Sequence, residues 1–326
     1  GGGSGGYYAN GTIDDVKIYN RSLSAQEISY LNLSRPDKIS NQETGPKEIW
    51  SACVTPNDGN GNGATICSNN VTIKPTLWKC GNLTTAEKNG NFTLLNDVNS
   101  SRTCYNIFPY AKNITINCNS YKINYSSSVN GYGVYSNVAN YTKISNCNIW
   151  LASGDRSSAY PTYFYKSSYC GVRNTNITVP YGVAGSGAHG IFVSYSDYCN
   201  ITGNRLQFAH PSTYAIYLQA SSYAKIFRNN ITGNRNGLYG FNFGTSPTYK
   251  NVISKNSFWA SGNAAGLQFN DGCLYNNVTY NNFTTRQGKA FAAYSGGFNN
   301  TVDTTNNAEG YPILYGWKNR SMTISN

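Results

Sequence analysis

Charge is scarce in this sequence. Asp, Glu, Lys and Arg make up 12% of 326 residues, and no Glu stands between Glu87 and Glu309. Acid–base cleavage of a glycosidic bond requires two carboxylates roughly 5 to 9.5 Å apart. The candidates in the repeats are Asp155, Asp197, Asp271 and Asp303, and Asp197 and Asp271 fall in different turns, beyond bond-making reach. With His189, His210 and a single methionine, Met322, the chain lacks a ligand set for copper. Asp58 lies among Asn and Gly without the further acids a calcium loop needs, so no cofactor or metal is expected. His189 and Asp197 remain as weak catalytic candidates. Long apolar runs are absent, so no segment reads as a membrane-spanning helix and no membrane insertion is expected. The opening Gly1-Gly2-Gly3-Ser4-Gly5-Gly6 has no signal-peptide character. It reads as a flexible loop or an engineered linker, and the chain as part of a longer precursor. The net charge is +11, yet no nucleic-acid-binding motif accompanies it.

Asparagine is in excess, at 47 of 326 residues, and it recurs in one short pattern. The copies are Ile201-Thr202-Gly203-Asn204-Arg205-Leu206, Ile226-Phe227-Arg228-Asn229-Asn230-Ile231, Ile253-Ser254-Lys255-Asn256-Ser257-Phe258 and Val278-Thr279-Tyr280-Asn281-Asn282-Phe283. Each is a β-branched anchor, two variable residues, Asn, one variable residue and a large apolar residue, at spacings of 25, 27 and 25. An alternating strand such as Ile191-Phe192-Val193 or Ile216-Tyr217-Leu218 precedes each copy. Self-similarity at this period marks a solenoid whose units bury their apolar faces only against neighbours. Short strands, Asn and Gly at the corners and no helical period make it all-β: a right-handed parallel β-helix with rungs roughly 4.8 Å apart. Asn suits such corners because it tolerates left-handed dihedrals. Leu206, Ile231, Phe258 and Phe283 are expected to form one internal column beside Ile201, Ile226, Ile253 and Val278.

Three segments follow: 1–33, 34–79 and the solenoid, 80–326. The first is a short strand-helix segment, with a strand around Val16 and Ile18 and a helix whose capping box is Ser24 and Glu27. In the junction, short strands around Cys53 and Cys67 bracket a Gly/Asn loop, so a disulfide is expected to close a hairpin there. Cys170 and Cys199 each precede a β-branched anchor by two residues, which places them on stacked rungs within disulfide range. Cys118 and Cys147 follow comparable strands, and Cys273 has no obvious mate. Nine cysteines point to an oxidising extracellular compartment. So do 17 Asn-x-Ser/Thr sequons, among them Asn10, Asn82, Asn113, Asn200, Asn230 and Asn282. The anchor spacing lengthens to 28 and 29 around Ile144, Val172 and Ile201, with extra residues near 152–165 and 180–187. Such insertions read as loops on a binding face, where Tyr160, Tyr163, Tyr165 and Tyr181 are candidate sugar contacts. Basic residues concentrated between Lys143 and Lys255 read as a solvated flank or as an attractant for acidic glycans.

The runs GIFVSYSDYCNITGNRL, AIYLQASSYAKIFRNNI and GLQFNDGCLYNNVTYNNF resemble the β-helix repeats of pectate-lyase-like proteins. Within them they are closest to the branch holding NosD-like periplasmic proteins and archaeal surface proteins. That resemblance covers about residues 80 to 326 and implies an entry turn closed by Cys80 and Cys104. It specifies fold more than function, because the family spans lyases, hydrolases, binding modules and structural shafts. Residues 7–33 are similar to the closing strand and helix of a laminin-G-like jelly roll. The expectation is an extracellular structural or adhesive β-helix at the cell surface, glycosylated, with surface glycans and copies of itself as partners, as in a filament. A carbohydrate-binding module and a polysaccharide lyase or hydrolase are the alternatives.

Overall fold

The computed structural model describes residues 22–32, 48–57, 59–73, 76–77, 79–83, 90–127, 129–152, 159–180, 188–209, 213–233, 238–241, 247–260, 265–270, 272–286, 288–293, 299–313 and 315. They fall into two compact units divided between Ile73 and Lys74. In the first unit, Ser24 and Glu27 cap the helix Ala25–Asn32 reciprocally: Glu27 N–H donates to Ser24 Oγ at 3.2 Å and Ser24 N–H to Glu27 Oε2 at 2.5 Å. The strand expected around Val16 lies outside the described residues. Ile49–Trp50 pairs antiparallel with Val71–Thr72, and Cys53–Val54 with Ile66–Cys67. A Cys53–Cys67 disulfide closes the second pair.

The second unit is a parallel solenoid of three sheets, visited in turn by each coil of the chain. The first sheet, of ten strands, contains the anchor strands: Lys143–Ser145, Gly171–Arg173, Asn200–Thr202, Lys225–Phe227, Val252–Ser254 and Asn277–Thr279 lie at its centre. The second, also of ten, carries the apolar residue of each copy, as in Arg205–Phe208 and Asn230–Gly233. The third, of nine, includes Tyr132–Asn137, Tyr160–Tyr165, Ile191–Ser194 and Ile216–Gln219. Its first strand, Gly81–Leu83, follows Cys80, but the first sheet already begins at Thr76–Leu77.

Period-two alternation sends one side of every strand inward, and parallel register stacks like on like. Ile201, Ile226, Ile253 and Val278 align in one column, and Leu206, Ile231, Phe258 and Phe283 in the next. All eight are buried, and the rings of Phe258 and Phe283 stack at 4.8 Å. The last described strand, Tyr311–Pro312, turns back antiparallel onto Asn307–Ala308. Beyond it Ile313 and Tyr315 pack on the core, with Tyr315 edge-on to Phe291 at 5.1 Å.

The repeated Asn has a different job from the one expected. Asn204, Asn229, Asn256 and Asn281 are buried, and positive φ belongs instead to the residue before each: Gly203, Arg228, Lys255 and Tyr280. The Asn amides face inward and form a ladder, each Nδ2 donating to Oδ1 of the next rung's Asn at 2.9 Å, as far as Asn306. The same Oδ1 atoms accept a backbone N–H from the rung before, and each Nδ2 also bonds a carbonyl on that rung, as Asn256 does with Ile226 O. A buried corner frees backbone polar groups that cannot reach water, and one amide per rung, with donor and acceptor sides, bonds an N–H and a carbonyl of the rung before.

A second ladder, Asn251, Asn276 and Asn300, runs two residues ahead of the anchors. The disulfides continue both lines toward earlier rungs. Cys170–Cys199 lies in register with the second ladder's column, and Cys118–Cys147 with the first, where Thr175 bridges to Asn204. Cys80–Cys104 links the entry turns, and Cys273 is a buried thiol.

At Gly190 and Gly266, where the chain enters strands of the third sheet, backbone and ring approach closely. A Cβ on Gly190 would stand 2.2 Å from Phe208 Cζ and 2.4 Å from Ala215 O. Gly190→Ala is therefore expected to cost about 1–3 kcal/mol through overpacking, measured by chemical denaturation. Adding Phe208→Leu should recover part of that loss, while an unchanged midpoint for the single variant would contradict this packing.

Candidate functional site

The outward side of the third sheet is aromatic. Tyr160–Tyr165 is a strand of this sheet and not part of an insertion loop. Alternation decides this: Thr162 and Phe164 are buried inside, leaving Tyr163 and Tyr165 outside and half-buried. Tyr181 and His210 lie outside the described residues, as do Asp155, Asp271 and Asn10.

Two ring ladders climb this face. One runs Tyr135, Tyr163, Phe192, Tyr217, with centroids 5.2, 4.6 and 4.7 Å apart and planes within 19°. The other runs Tyr132, Tyr160, His189, Tyr214 at 5.7, 5.6 and 4.9 Å. Stacking along the axis covers the ring faces and leaves edges toward solvent, so the middle rings offer little flat surface to a sugar. Among the described residues the ladders start at Tyr132 and Tyr135. One rung before Tyr135 stands Asn106, and before that Asn82, neither of them a ring.

At that step lies a groove of about 480 Å³, lined by Tyr132, Tyr135, Asn82, Asn106, Ser100 and Arg102 beside the Cys80–Cys104 disulfide. Two aromatic rings 4.8 Å apart, two side-chain amides, a hydroxyl and a guanidinium thus converge. Burial, and then the neighbouring tyrosines, raise the pKa of Tyr132 and Tyr135, keeping their hydroxyls protonated as donors. Sequence reasoning passed over these two residues. The signal was present, since Tyr132 and Tyr135 precede Tyr160 and Tyr163 by 28 residues, the same interval that separates the anchors Ile144 and Val172.

The two weak catalytic candidates, His189 and Asp197, lie at opposite ends of the strand Ile191–Ser194. His189 sits inside the aromatic stack, and its Nδ1 accepts Tyr214 N–H at 3.4 Å. Asp197 turns a corner on the far side of the strand Ile191–Ser194, its Oδ1 accepting Ser222 N–H at 2.7 Å and its N–H donating to Ser168 Oγ. Among the described residues no group of three or more His, Cys, Asp or Glu could hold a metal, and no helix is long and apolar enough to cross a membrane.

Asn82, Asn113, Asn200, Asn230 and Asn282 are exposed. Lys143, Arg173 and Lys225 lie on the first sheet and Arg205 on the second, while Lys250 and Lys255 cover exposed rings at the corners. On the aromatic face itself Lys166 lies over the Tyr165 ring, its Nζ 5.3 Å from the centroid, and Arg102 borders the groove.

Tyrosine burial has a consequence for pH. Desolvation raises the pKa of Tyr105 and Tyr125 in the core; in the ladder it raises that of Tyr163, where neighbouring tyrosines add to the effect. With folded values above the unfolded 10.0, these groups stabilise fully below pH 10 and lose that contribution as pH rises through the folded values. The melting temperature is expected to fall above pH 10, with a cooperative rise in tyrosinate absorbance. Complete ionisation with an intact far-ultraviolet spectrum would contradict this.

No curated protein matches the chain. The family model described as right handed beta helix region matches residues 132–308, more than half of the chain and most of the three-sheet solenoid. The chain belongs to the right-handed β-helix family.

Proposed function

We propose that this β-helix works outside the cell as a stiff, non-catalytic adhesive element that holds a saccharide in the groove beside Tyr132 and Tyr135. The observation that carries this reading is the convergence of two tyrosine rings, two amides and Arg102 in one open groove. A sugar ring lays its C–H face on an aromatic ring, its hydroxyls suit Asn82 and Asn106, and a guanidinium favours a carboxylate or sulfate substituent. Four rung- or strand-linking disulfides fit an oxidising compartment, and the exposed sequons fit glycosylation there.

Within the family the reading places the chain with the NosD-like and archaeal surface branch, and residues 1–33 with the end of a laminin-G-like domain. Copies stacked head to tail would extend the first and third sheets. The return strand Tyr311–Pro312 already occupies the last edge of the second.

The test is a binding survey with neutral, uronate-containing and sulfated oligosaccharides, with product analysis on the same samples. Binding without bond cleavage, weakened at least tenfold by Tyr135→Ala (about 1.4 kcal/mol) and made less selective for anionic sugars by Arg102→Gln, is expected. Asn82 begins a sequon inside the groove, so the survey includes Asn82→Gln to remove a competing glycan. Cleavage abolished by Asp197→Asn would replace this reading with the enzymatic one.

A further inference from the structure

Away from the groove, the outer face of the second sheet carries a column that runs Asn124, Trp150, Thr178, Gln207, Thr232, Trp259, Thr284. Trp150 and Trp259 are 37% and 40% exposed, and their column neighbours are small or polar. The three threonines are the hydroxyl residues of the sequons Asn176-Ile177-Thr178, Asn230-Ile231-Thr232 and Asn282-Phe283-Thr284. Each sequon Asn is exposed and stands two residues back on the same face. Trp150 is in register with Thr178 on the next rung, and Trp259 with Thr232 before it and Thr284 after it. A rung spacing and a two-residue step together put each Asn about 8 Å from a tryptophan, Cα to Cα.

The ring environments agree with this placement. Lys122, from the rung before, approaches Trp150 with Nζ 4.7 Å from the ring centroid. On the following rung, Asn176 and Thr178 share with Trp150 a groove of about 430 Å³. Trp259 and Thr232 border a second groove of about 240 Å³ with Pro180 and Phe208. Both are wide enough for a sugar ring: the first sets polar side chains such as Asn148 and Gln207 around the indole, and the second is largely apolar.

We propose that Asn176, Asn230 and Asn282 carry N-linked glycans whose first sugars lie against Trp150 and Trp259, so that the second sheet is coated by the chain's own glycans. In the transfer, Asn Nδ2 bonds to C1 of a lipid-pyrophosphate-linked oligosaccharide. One amide proton passes to a base of the transferase, and the C1–O bond breaks to release the lipid pyrophosphate. The remaining amide proton of Asn176 keeps its hydrogen bond to Asn148 Oδ1, 2.8 Å away. Asn124 also begins a sequon, but its Oδ1 is buried, so it stays bare. This coating is independent of the saccharide groove on the third sheet.

The test compares protein from its source with protein secreted into a bacterial periplasm, which adds no N-glycans. Intact-glycopeptide mass spectrometry of the source protein should find Asn176, Asn230 and Asn282 occupied and Asn124 unmodified. With Trp50, Trp78 and Trp317 replaced by Phe, acrylamide quenching of the remaining indoles should be stronger in the glycan-free form. The melting temperature gained on glycosylation should vanish in Trp150→Ala/Trp259→Ala and survive in Trp150→Tyr/Trp259→Tyr, which keeps a ring. Empty sequons at these three positions, or occupied ones with equal quenching in both forms, would overturn the proposal.

Discussion

Ile226→Asp is expected to cost several kcal/mol and to abolish cooperative folding of the solenoid near neutral pH. Ile226 is fully buried, stacked between Ile201 and Ile253 in the anchor column. The substitution removes an apolar side chain worth about 2–5 kcal/mol and places a carboxylate where water does not reach. Burial would raise that carboxyl's pKa above its unfolded value. The penalty is therefore smallest in acid and grows as pH rises. Lys225→Asp, one residue away but exposed, should move the denaturation midpoint little, by about 0.5 kcal/mol or less. Equal midpoints for the two variants would mean that the anchor column is not the core.

Asn256→Leu should be nearly as damaging, although it makes the interior more apolar. Asn256 Oδ1 accepts both Asn229 N–H and Asn229 Nδ2, and Asn256 Nδ2 supplies Ile226 O and Asn281 Oδ1. Leucine leaves two donors on Asn229 unpaired in a buried corner, each orphan costing about 1–3 kcal/mol. A loss of about 3–5 kcal/mol is expected by chemical denaturation, with faster amide exchange at Asn229. Arg228→Ala, at the exposed left-handed position next door, should cost far less. A neutral Asn256→Leu would show that the ladder contributes little.

The columns were legible because a solenoid repeats its physics at a fixed interval: β-branched anchors at 25 to 29 residues must stack. Position was legible for the Asn as well, but its role was not. Left-handed dihedrals and buried amide ladders both favour Asn, and nothing marks Arg228, Lys255 or Tyr280 as the residues with positive φ. The Tyr160–Tyr165 segment misled for a related reason, since it sits beside a longer interval and so reads as inserted. Its inward Thr162 and Phe164 show the strand. The groove was the least legible feature. It exists because Thr103 and Asn106 stand where later rungs place rings, and a gap in a ladder becomes visible only once the register is known. The Trp150 and Trp259 column was hidden in the same way, its members being separated by four rungs.

Photo-crosslinking of a bound oligosaccharide, followed by peptide mapping, tests the proposed adhesive groove most directly. With a probe chosen from the binding survey, label is expected on Tyr132 or Tyr135 and on the disulfide-linked peptides holding Asn82 and Arg102. It should be lost on competition with unlabelled sugar and in Tyr135→Ala. Label confined to the middle of the ladders, around Tyr163 and Tyr217, or to the second sheet, would contradict a saccharide site at this groove.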